Sequence, residues 1–240
     1  MKKLLFITLA AFIAFNCFAE TRVVEESDDY SDSALILNFG DTYYNTNRLS
    51  VYNNIHDIDL NSNGFTVEIG RFKSDEDGLF DFVSTDLLGF SAGKINSENN
   101  YSWRDNNNLF DATSNARHYT IFGKETFGLQ ANVFMFSFGC TFGPKYGFDW
   151  MKMNAYSPRF RNYVYHENRL FLDFVVDPYI SLNLKKRVKI FLKSDFDLPI
   201  FRARFVYSEN EGSKSGTTFS WDWFKNDVPT TFMIGCAVFF

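Results

Sequence analysis

The stretch Phe134-Met135-Phe136-Ser137-Phe138-Gly139-Cys140-Thr141-Phe142-Gly143 decides how the rest of the chain is read. Successive side chains of an extended backbone point to opposite faces of a sheet. Phe134, Phe136, Phe138, Cys140 and Phe142 therefore share one face, and Met135, Ser137, Gly139, Thr141 and Gly143 the other. One face is greasy and the other small or polar. The sorting recurs over 170–185, where Leu170, Leu172, Phe174, Val176, Ile180, Leu182 and Leu184 oppose Asp173, Asp177, Tyr179, Ser181 and Asn183. It recurs again where Val188, Ile190, Leu192, Phe196 and Leu198 oppose Lys189, Phe191, Lys193, Asp195 and Asp197. Helical periodicity is scarce along the same chain, so the period-2 pattern carries the reading.

Composition narrows the classes. The 240 residues include 30 Phe and 12 Tyr but only 5 Pro, and the mean hydropathy is slightly negative at -0.21. So much apolar surface excludes disorder. Beyond the first 20 residues no apolar run reaches the roughly 18 residues of a spanning helix. A net charge of -5 offers no basic footprint for a phosphate backbone, so nucleic acid is not an expected partner.

Residues 1–19 have the three parts of a secretory signal: Lys2 and Lys3, the apolar run 4–15, then Cys17-Phe18-Ala19 with small residues at the peptidase positions. Cleavage is expected after Ala19. The competing reading takes Ala14-Phe15-Asn16-Cys17 as a loose lipobox with Cys17 acylated. After a linker over 20–32, the barrel domain is expected over 33–240. Cys140 and Cys236 allow one disulfide at most and no disulfide framework.

Punctuation between the alternating runs predicts eight strands: 33–41, 64–73, 79–93, 116–126, 129–143, 168–184, 187–207 and 227–240. Polar loops rich in Asn, Ser, Asp and Lys are expected over 42–63, 94–115, 144–167 and 208–226. Tight turns are expected at 74–78, near Phe127 and Gly128, and at 185–187. Short turns on one rim, long loops on the other and an even strand number predict a closed eight-stranded antiparallel up-and-down transmembrane barrel. Pro199 interrupts the seventh strand where the alternation changes phase, which predicts a bulge or bend.

Alternation alone leaves open whether the Phe rows point out of the barrel or into it. Three features favour outward. The chain ends with Gly235, Val238 and Phe240 in a G-x-x-φ-x-φ arrangement. The opposite faces mix Asp with Lys, Gly, Ser and Thr, as a narrow interior needs for charge compensation. The strands also reach the roughly 9 to 11 residues required to cross a bilayer tilted. The terminus resembles the insertion signal of bacterial outer-membrane barrels, and the strand plan resembles small barrels of the OmpX, OmpW and OmpA-transmembrane kind. No further family motif matches. The resemblance implies a monomer in the cell outer membrane, in contact with its lipid and with the barrel-insertion machinery, and with loops open to an extracellular ligand. A surface interaction or structural role, or a minor conduit for small hydrophobic molecules, is the functional expectation. The alternative is a soluble or lipid-anchored periplasmic calycin-like barrel binding an apolar ligand.

Phe134, Phe136, Phe138, Phe142, Leu172, Phe174, Ile190 and Leu192 are the expected lipid-facing set, and Glu68, Asp173, Asp177, Lys189, Lys193, Asp195 and Asp197 the lumen charge network. That network reads as a paired plug rather than an ion path, because isolated charges in a narrow lumen are costly. Gly89-Phe90-Ser91-Ala92-Gly93 matches G-x-S-x-G, with His118 on the next strand. A nucleophile elbow needs a strand, a sharp turn and a helix, and an Asn-rich loop follows instead. No catalytic residue is expected, beyond a residual lipase or acyltransferase reading of Ser91 and His118. His56 and His166 read as solvated loop residues without metal-ligand spacing. Asp57, Asp59, Asn61, Asn63 and Gly64 resemble the start of a calcium loop, but Glu68 falls too early for an EF-hand and no flanking helices are evident. No metal and no cofactor are expected. Trp103, Trp150, Trp221 and Trp223 lie in or beside the long loops, where Trp suits the membrane interface.

Overall fold

The computed structural model describes residues 33–46, 60–74, 79–95, 101–105, 108–156, 163–184, 187–210, 213–223 and 229–239. The signal segment 1–19 with Ala19, the linker 20–32, Trp103's side chain, His56, Asp57, Asp59 and Phe240 lie outside what it describes. Ten strands follow in order: β1 (Ser33–Thr46), β2 (Leu60–Ser74), β3 (Phe80–Ile95), β4 (Tyr101–Asp105), β5 (Asn108–Val133), β6 (Phe136–Tyr156), β7 (Tyr163–Leu184), β8 (Val188–Asn210), β9 (Ser213–Trp223) and β10 (Thr230–Phe239).

Every ladder is antiparallel. The path β10-β1-β2-β3-β5-β6-β7-β8 closes because β10 also pairs β8, which makes a ring of eight strands. Closure leaves each strand of that ring with a neighbour on both sides, so the backbone groups of the ring pair strand to strand instead of facing an open edge. On the side away from β7, β8 serves two partners: residues 188–196 pair β10, and residues 201–210 pair β9. β4 forms a separate hairpin with the start of β5.

The two rims differ. At one, β5 and β6 are joined by Phe134 and Met135 alone, between the paired Val133 and Phe136. Phe134 takes φ 57, a left-handed conformation that costs a non-glycine residue roughly 1 to 2 kcal/mol. Asn183 N donates to Met135 O at 2.7 Å and ties this turn to the end of β7. At the other rim β5 to β8 run on for many residues, with β4 and β9 attached.

This differs from the sequence expectation in two ways. Phe127 and Gly128 form no turn; they are interior residues of β5, opposite Phe142 and Thr141 of β6. Glycine drew the turn to 127–128, whereas the chain continues its alternation to Val133 and turns at two bulky apolar residues. The expected loops 94–115, 144–167 and 208–226 are largely strand, forming β4, the start of β5, the ends of β6 and β7, and β9. Their polar composition marks strand that has left the apolar band rather than loop. Trp150 is accordingly in β6, and Trp221 and Trp223 in β9. At Pro199 the expected bulge is present: the ladder slips by one residue, Leu172 faces Phe201, Asp173 faces Pro199, and Ile200 has no opposite number. Before the bulge odd-numbered residues of β8 are buried, and after it Arg202 and Arg204 turn inward.

Burial follows the alternation. Along β3, Asp81, Val83, Thr85, Leu87, Gly89 and Ser91 are buried while Phe82, Asp86, Leu88 and Phe90 are exposed. Lys124, Glu68 and Asn38 are fully buried, whereas Phe80, Phe82 and Leu88 are 72%, 74% and 68% exposed. The inside is polar and the outside apolar, the reverse of a water-soluble fold.

Candidate functional site

The lumen is filled in layers. At the short-turn rim lies an apolar floor. Phe72 of β2 meets the rings of Phe191, Phe239 and Tyr179 edge-on at centroid distances of 5.1, 6.2 and 6.5 Å. Such geometry sets the positive ring edge against a negative face. Tyr179 Oη donates to Gln130 Oε1 at 3.0 Å, and Gln130 Nε2 donates to Ser74 Oγ at 2.7 Å and Asp81 Oδ2 at 3.0 Å. Lys189 Nζ lies over Phe72 and Phe239, 5.3 and 5.4 Å from their centroids. Cation and ring attract there through the ring quadrupole.

Above the floor, Lys124 of β5 is surrounded by three carboxylates: Glu68 Oε1 at 2.7 Å, Asp177 Oδ2 at 3.0 Å and Asp195 Oδ2 at 2.5 Å. Lys193 reaches the same three at 2.9, 3.6 and 3.3 Å. Asn38 Nδ2 donates to Glu68 Oε2 at 2.9 Å. Asn38 has room because its ladder partner is Gly235, where a Cβ would stand 1.9 Å from Asn38 Oδ1. Two ammonium groups shared among three carboxylates compensate most of the charge within hydrogen-bonding distance, the condition under which buried ions are tolerable.

A second charged layer holds Lys145 Nζ on Asp197 Oδ2 at 2.6 Å and Arg202 Nη2 on both oxygens of Asp173 at 3.0 and 2.8 Å. Lys145 also sits 4.3 Å from the centroid of Phe122. A third, toward the long-strand rim, joins His118 Nε2 to Asp149, Thr120 Oγ1 to Asp149 Oδ1 at 3.1 Å, and Arg169 Nη2 to Glu167 Oε1 at 2.7 Å. Arg204 lies 3.7 Å from the same Glu167 oxygen.

Glu68, Asp173, Asp177, Lys189, Lys193, Asp195 and Asp197 all lie buried in the lumen. Four of them meet in the layer around Lys124, while Asp173 and Asp197 belong to the layer above and Lys189 to the floor. Lys124, Lys145, Asp149, Glu167, Arg169, Arg202 and Arg204 were missed. Lys124 was legible, since it shares alternation with Thr120, Phe122, Thr126 and Gln130 once the turn is moved from Gly128. Arg202 and Arg204 needed the phase change at the bulge. Lys145, Asp149, Glu167 and Arg169 fell in an expected loop.

Of the outward set, Phe136, Phe138, Phe142, Leu172, Phe174 and Leu192 are exposed on strands, and Ile190 is half-buried on the same face. Phe134 is fully exposed too, but in the turn rather than in a strand. Val238 faces outward and Gly235 inward on β10.

The G-x-S-x-G stretch is ordinary β3 strand. Gly89 gives space to the Phe122 ring, whose Cζ would be 2.1 Å from a Cβ. Ser91 Oγ shares a hydrogen bond with Thr66 Oγ1 at 2.7 Å, and Thr66 continues to Thr42 and Thr231 as a ladder of hydroxyls. His118 is buried and turned inward in β5, with Asp149 as its partner. His166 is not in a loop; it lies half-buried in β7. Asn61, Asn63 and Gly64 belong to β2 and pair with β1, a ladder in place of the bend a calcium loop requires. No group of three or more potential metal ligands occurs among the described residues.

No family model and no curated protein matches the chain. Solved structures with a similar strand arrangement include the outer membrane protease OmpT from Escherichia coli, at 9% identity and TM-score 0.46 over 90% of this chain and 99% of that one. A major outer membrane protein from Thermus thermophilus is similar at 11% identity and TM-score 0.45, over 87% of this chain and 99% of that one. Neisserial surface protein A is similar at 9% identity and TM-score 0.40, over 88% and 99%.

Proposed function

We propose that the protein is a bacterial outer-membrane β-barrel that acts at its long-strand rim as a surface interaction or structural protein, with a lumen that does not conduct. The observation that carries this reading is the inverted burial. Lys124 and Glu68 have no solvent exposure while Phe80, Phe82, Phe136 and Phe138 are 72%, 74%, 44% and 48% exposed. In water each such ring would forgo part of the roughly 1.5 to 3 kcal/mol that full burial contributes; in hydrocarbon it forgoes nothing. A closed ring is also what lipid demands, since an unpaired edge there costs several kcal/mol per backbone group. The calycin-like alternative requires the Phe rows to surround a ligand inside, and those rows are outside.

The surface role is favoured over the conduit by the filling of the lumen. The aromatic floor and the layers on Lys124 and on Asp173 follow one another along it, and the Phe72–Phe191 and Lys124–Glu68 contacts join strands that are not neighbours. A small molecule entering would have to replace buried ion pairs, each costly to break. A catalytic role finds no support at Ser91, whose hydroxyl belongs to the Thr66 ladder. Membrane fractionation is the direct test. The mature protein is expected to stay with the outer membrane through salt, carbonate and urea washes, and release by those washes overturns the reading. Shortening 96–107 or 211–228 is then expected to alter surface binding while the compact, heat-modifiable barrel survives.

A further inference from the structure

Near the long-strand rim one ladder row crosses four consecutive strands of the ring with Lys94, Arg117, Lys152 and His166 directly opposite one another. Lys94, Arg117 and Lys152 are exposed on the outward face and His166 is half-buried there. The next outward row toward the short-turn rim is Ala92, Tyr119, Trp150 and Asn168, in which Tyr119 and Trp150 stack at a centroid distance of 5.5 Å and an interplanar angle of 23°. The row after that is apolar: Phe90, Ile121, Phe148 and Leu170. Hydrocarbon-type, interfacial and cationic rows thus follow in that order. We infer that the cationic row is a docking surface for the phosphate headgroups of anionic lipids in the outer leaflet. This rests on the membrane reading given above.

Two physical arguments support that occupant. The first is height. On β6, Phe136 at the short-turn rim and Lys152 are separated by sixteen residues, about 53 Å along the strand at ~3.3 Å per residue. A tilt near 40° brings that to about 40 Å along the barrel axis. A bilayer with its headgroups measures roughly 40 to 45 Å, so the row meets the headgroup layer, with Trp150 at the level where amphipathic rings settle. The second is charge. Side chains directly opposite in a ladder stand about 4.5 to 5.5 Å apart at Cβ, and like charges there repel. Among the described residues Lys94, Arg117 and Lys152 have no ion-pair partner, and the adjacent aromatic row contains no carboxylate. A lipid phosphate supplies the missing counter-charge without leaving the layer in which these side chains stand.

The test uses the full mature protein in phosphatidylcholine vesicles that carry either spin-labelled phosphatidylglycerol or spin-labelled phosphatidylcholine. The wild type is expected to immobilise the anionic probe in preference to the zwitterionic one, and salt should weaken that preference. At one decade for every 1.4 kcal/mol and up to roughly 1 kcal/mol per surface cation, the combined variant Lys94→Gln, Arg117→Gln, Lys152→Gln is expected to lose up to roughly a hundred-fold in selectivity. Equal immobilisation of both probes by the wild type, or an unchanged preference in the variant, overturns the inference. A soluble heparin fragment bound by the wild type and not by the variant, with no lipid preference, overturns it in favour of a soluble polyanion. Protease protection and heat-modifiable mobility are read on the same samples. A wild type that fails to insert defeats the membrane reading and this inference together, whereas insertion without selectivity defeats only the latter.

Discussion

Lys124 Nζ and Glu68 Oε1 meet at 2.7 Å in the centre of the lumen, from strands β5 and β2 that are not neighbours in the sheet. Ladder hydrogen bonds hold each strand to the next; this pair, with Asp177 and Asp195 from β7 and β8, ties opposite walls together. The barrel is braced across its width as well as around its circumference.

Lys124→Met is therefore expected to destabilise the folded barrel by about 3 to 5 kcal/mol, because it leaves three buried carboxylates with Lys193 alone. Urea unfolding of the reconstituted protein, followed by tryptophan fluorescence, measures this. Combining Lys124→Met with Glu68→Gln should recover part of the loss, since the second change removes one uncompensated charge. A single variant as stable as the wild type would mean that the layer does not brace the fold.

Planar bilayers containing the wild-type protein are expected to remain electrically silent. Asp173→Asn and Lys193→Gln, each within a buried layer, should not create a steady current. A stable conductance in the wild type whose size or ion selectivity changes with either substitution would establish a conduit in place of a plug.

The alternation was legible wherever it ran without interruption. Residues 170–184 and 188–198 sort inside from outside in the structure as their spacing does in the sequence. It failed where a local residue type competed with the period. Gly128 looked like a turn, yet in a narrow barrel glycine serves equally as a small strand residue, while the real turn used Phe134 and Met135. Polar stretches looked like loops because a strand beyond the apolar band has no greasy face to display, and this hid Lys145, Asp149 and Glu167. Arg202 and Arg204 were hidden by a one-residue bulge, which exchanges the two faces of everything after it.

Cys140 and Cys236 both face outward, on β6 and β10, and neither is in a disulfide. With β7 and β8 between them in the ring, an intramolecular bridge is out of reach. A water-soluble maleimide is expected to leave both thiols unlabelled in intact outer membranes and to label both after thermal unfolding in detergent. Labelling of Cys140 in the intact membrane would place that face of β6 in water.

Phe134→Gly is expected to raise stability in detergent by about 1 kcal/mol, because glycine adopts positive φ freely. Phe134 is fully exposed, so little packing within the protein is lost. Equilibrium unfolding in detergent and in bilayers should diverge: in bilayers the gain shrinks, since the ring no longer anchors the turn at the lipid interface. A loss of stability in detergent would show that the Phe134 backbone is not the strained element of the turn.

The outward coat carries a polar row where Arg71, Asp86 and Glu125 stand directly opposite one another on β2, β3 and β5. All three are exposed, and Tyr146 Oη of β6 donates to Glu125 Oε1 at 3.0 Å. Below and above run rows containing Phe127 and Leu88, so the polar row lies within the apolar band. Ionisable groups on a lipid-facing surface are costly in proportion to their depth, and a row with both signs lowers that cost by local neutralisation. Glu125 then depends on its tyrosine partner in lipid far more than it would in water, where exposed pairs contribute little. A double-mutant cycle on Tyr146→Phe and Glu125→Leu is therefore expected to give a coupling in phosphatidylcholine bilayers that fades in detergent micelles, where water reaches the row. Asp86→Leu together with Arg71→Leu should raise stability in bilayers and leave it nearly unchanged in micelles. Equal coupling in both media would place this face of β2 to β6 in water at that depth, and the lipid-facing assignment of the row would fail with it.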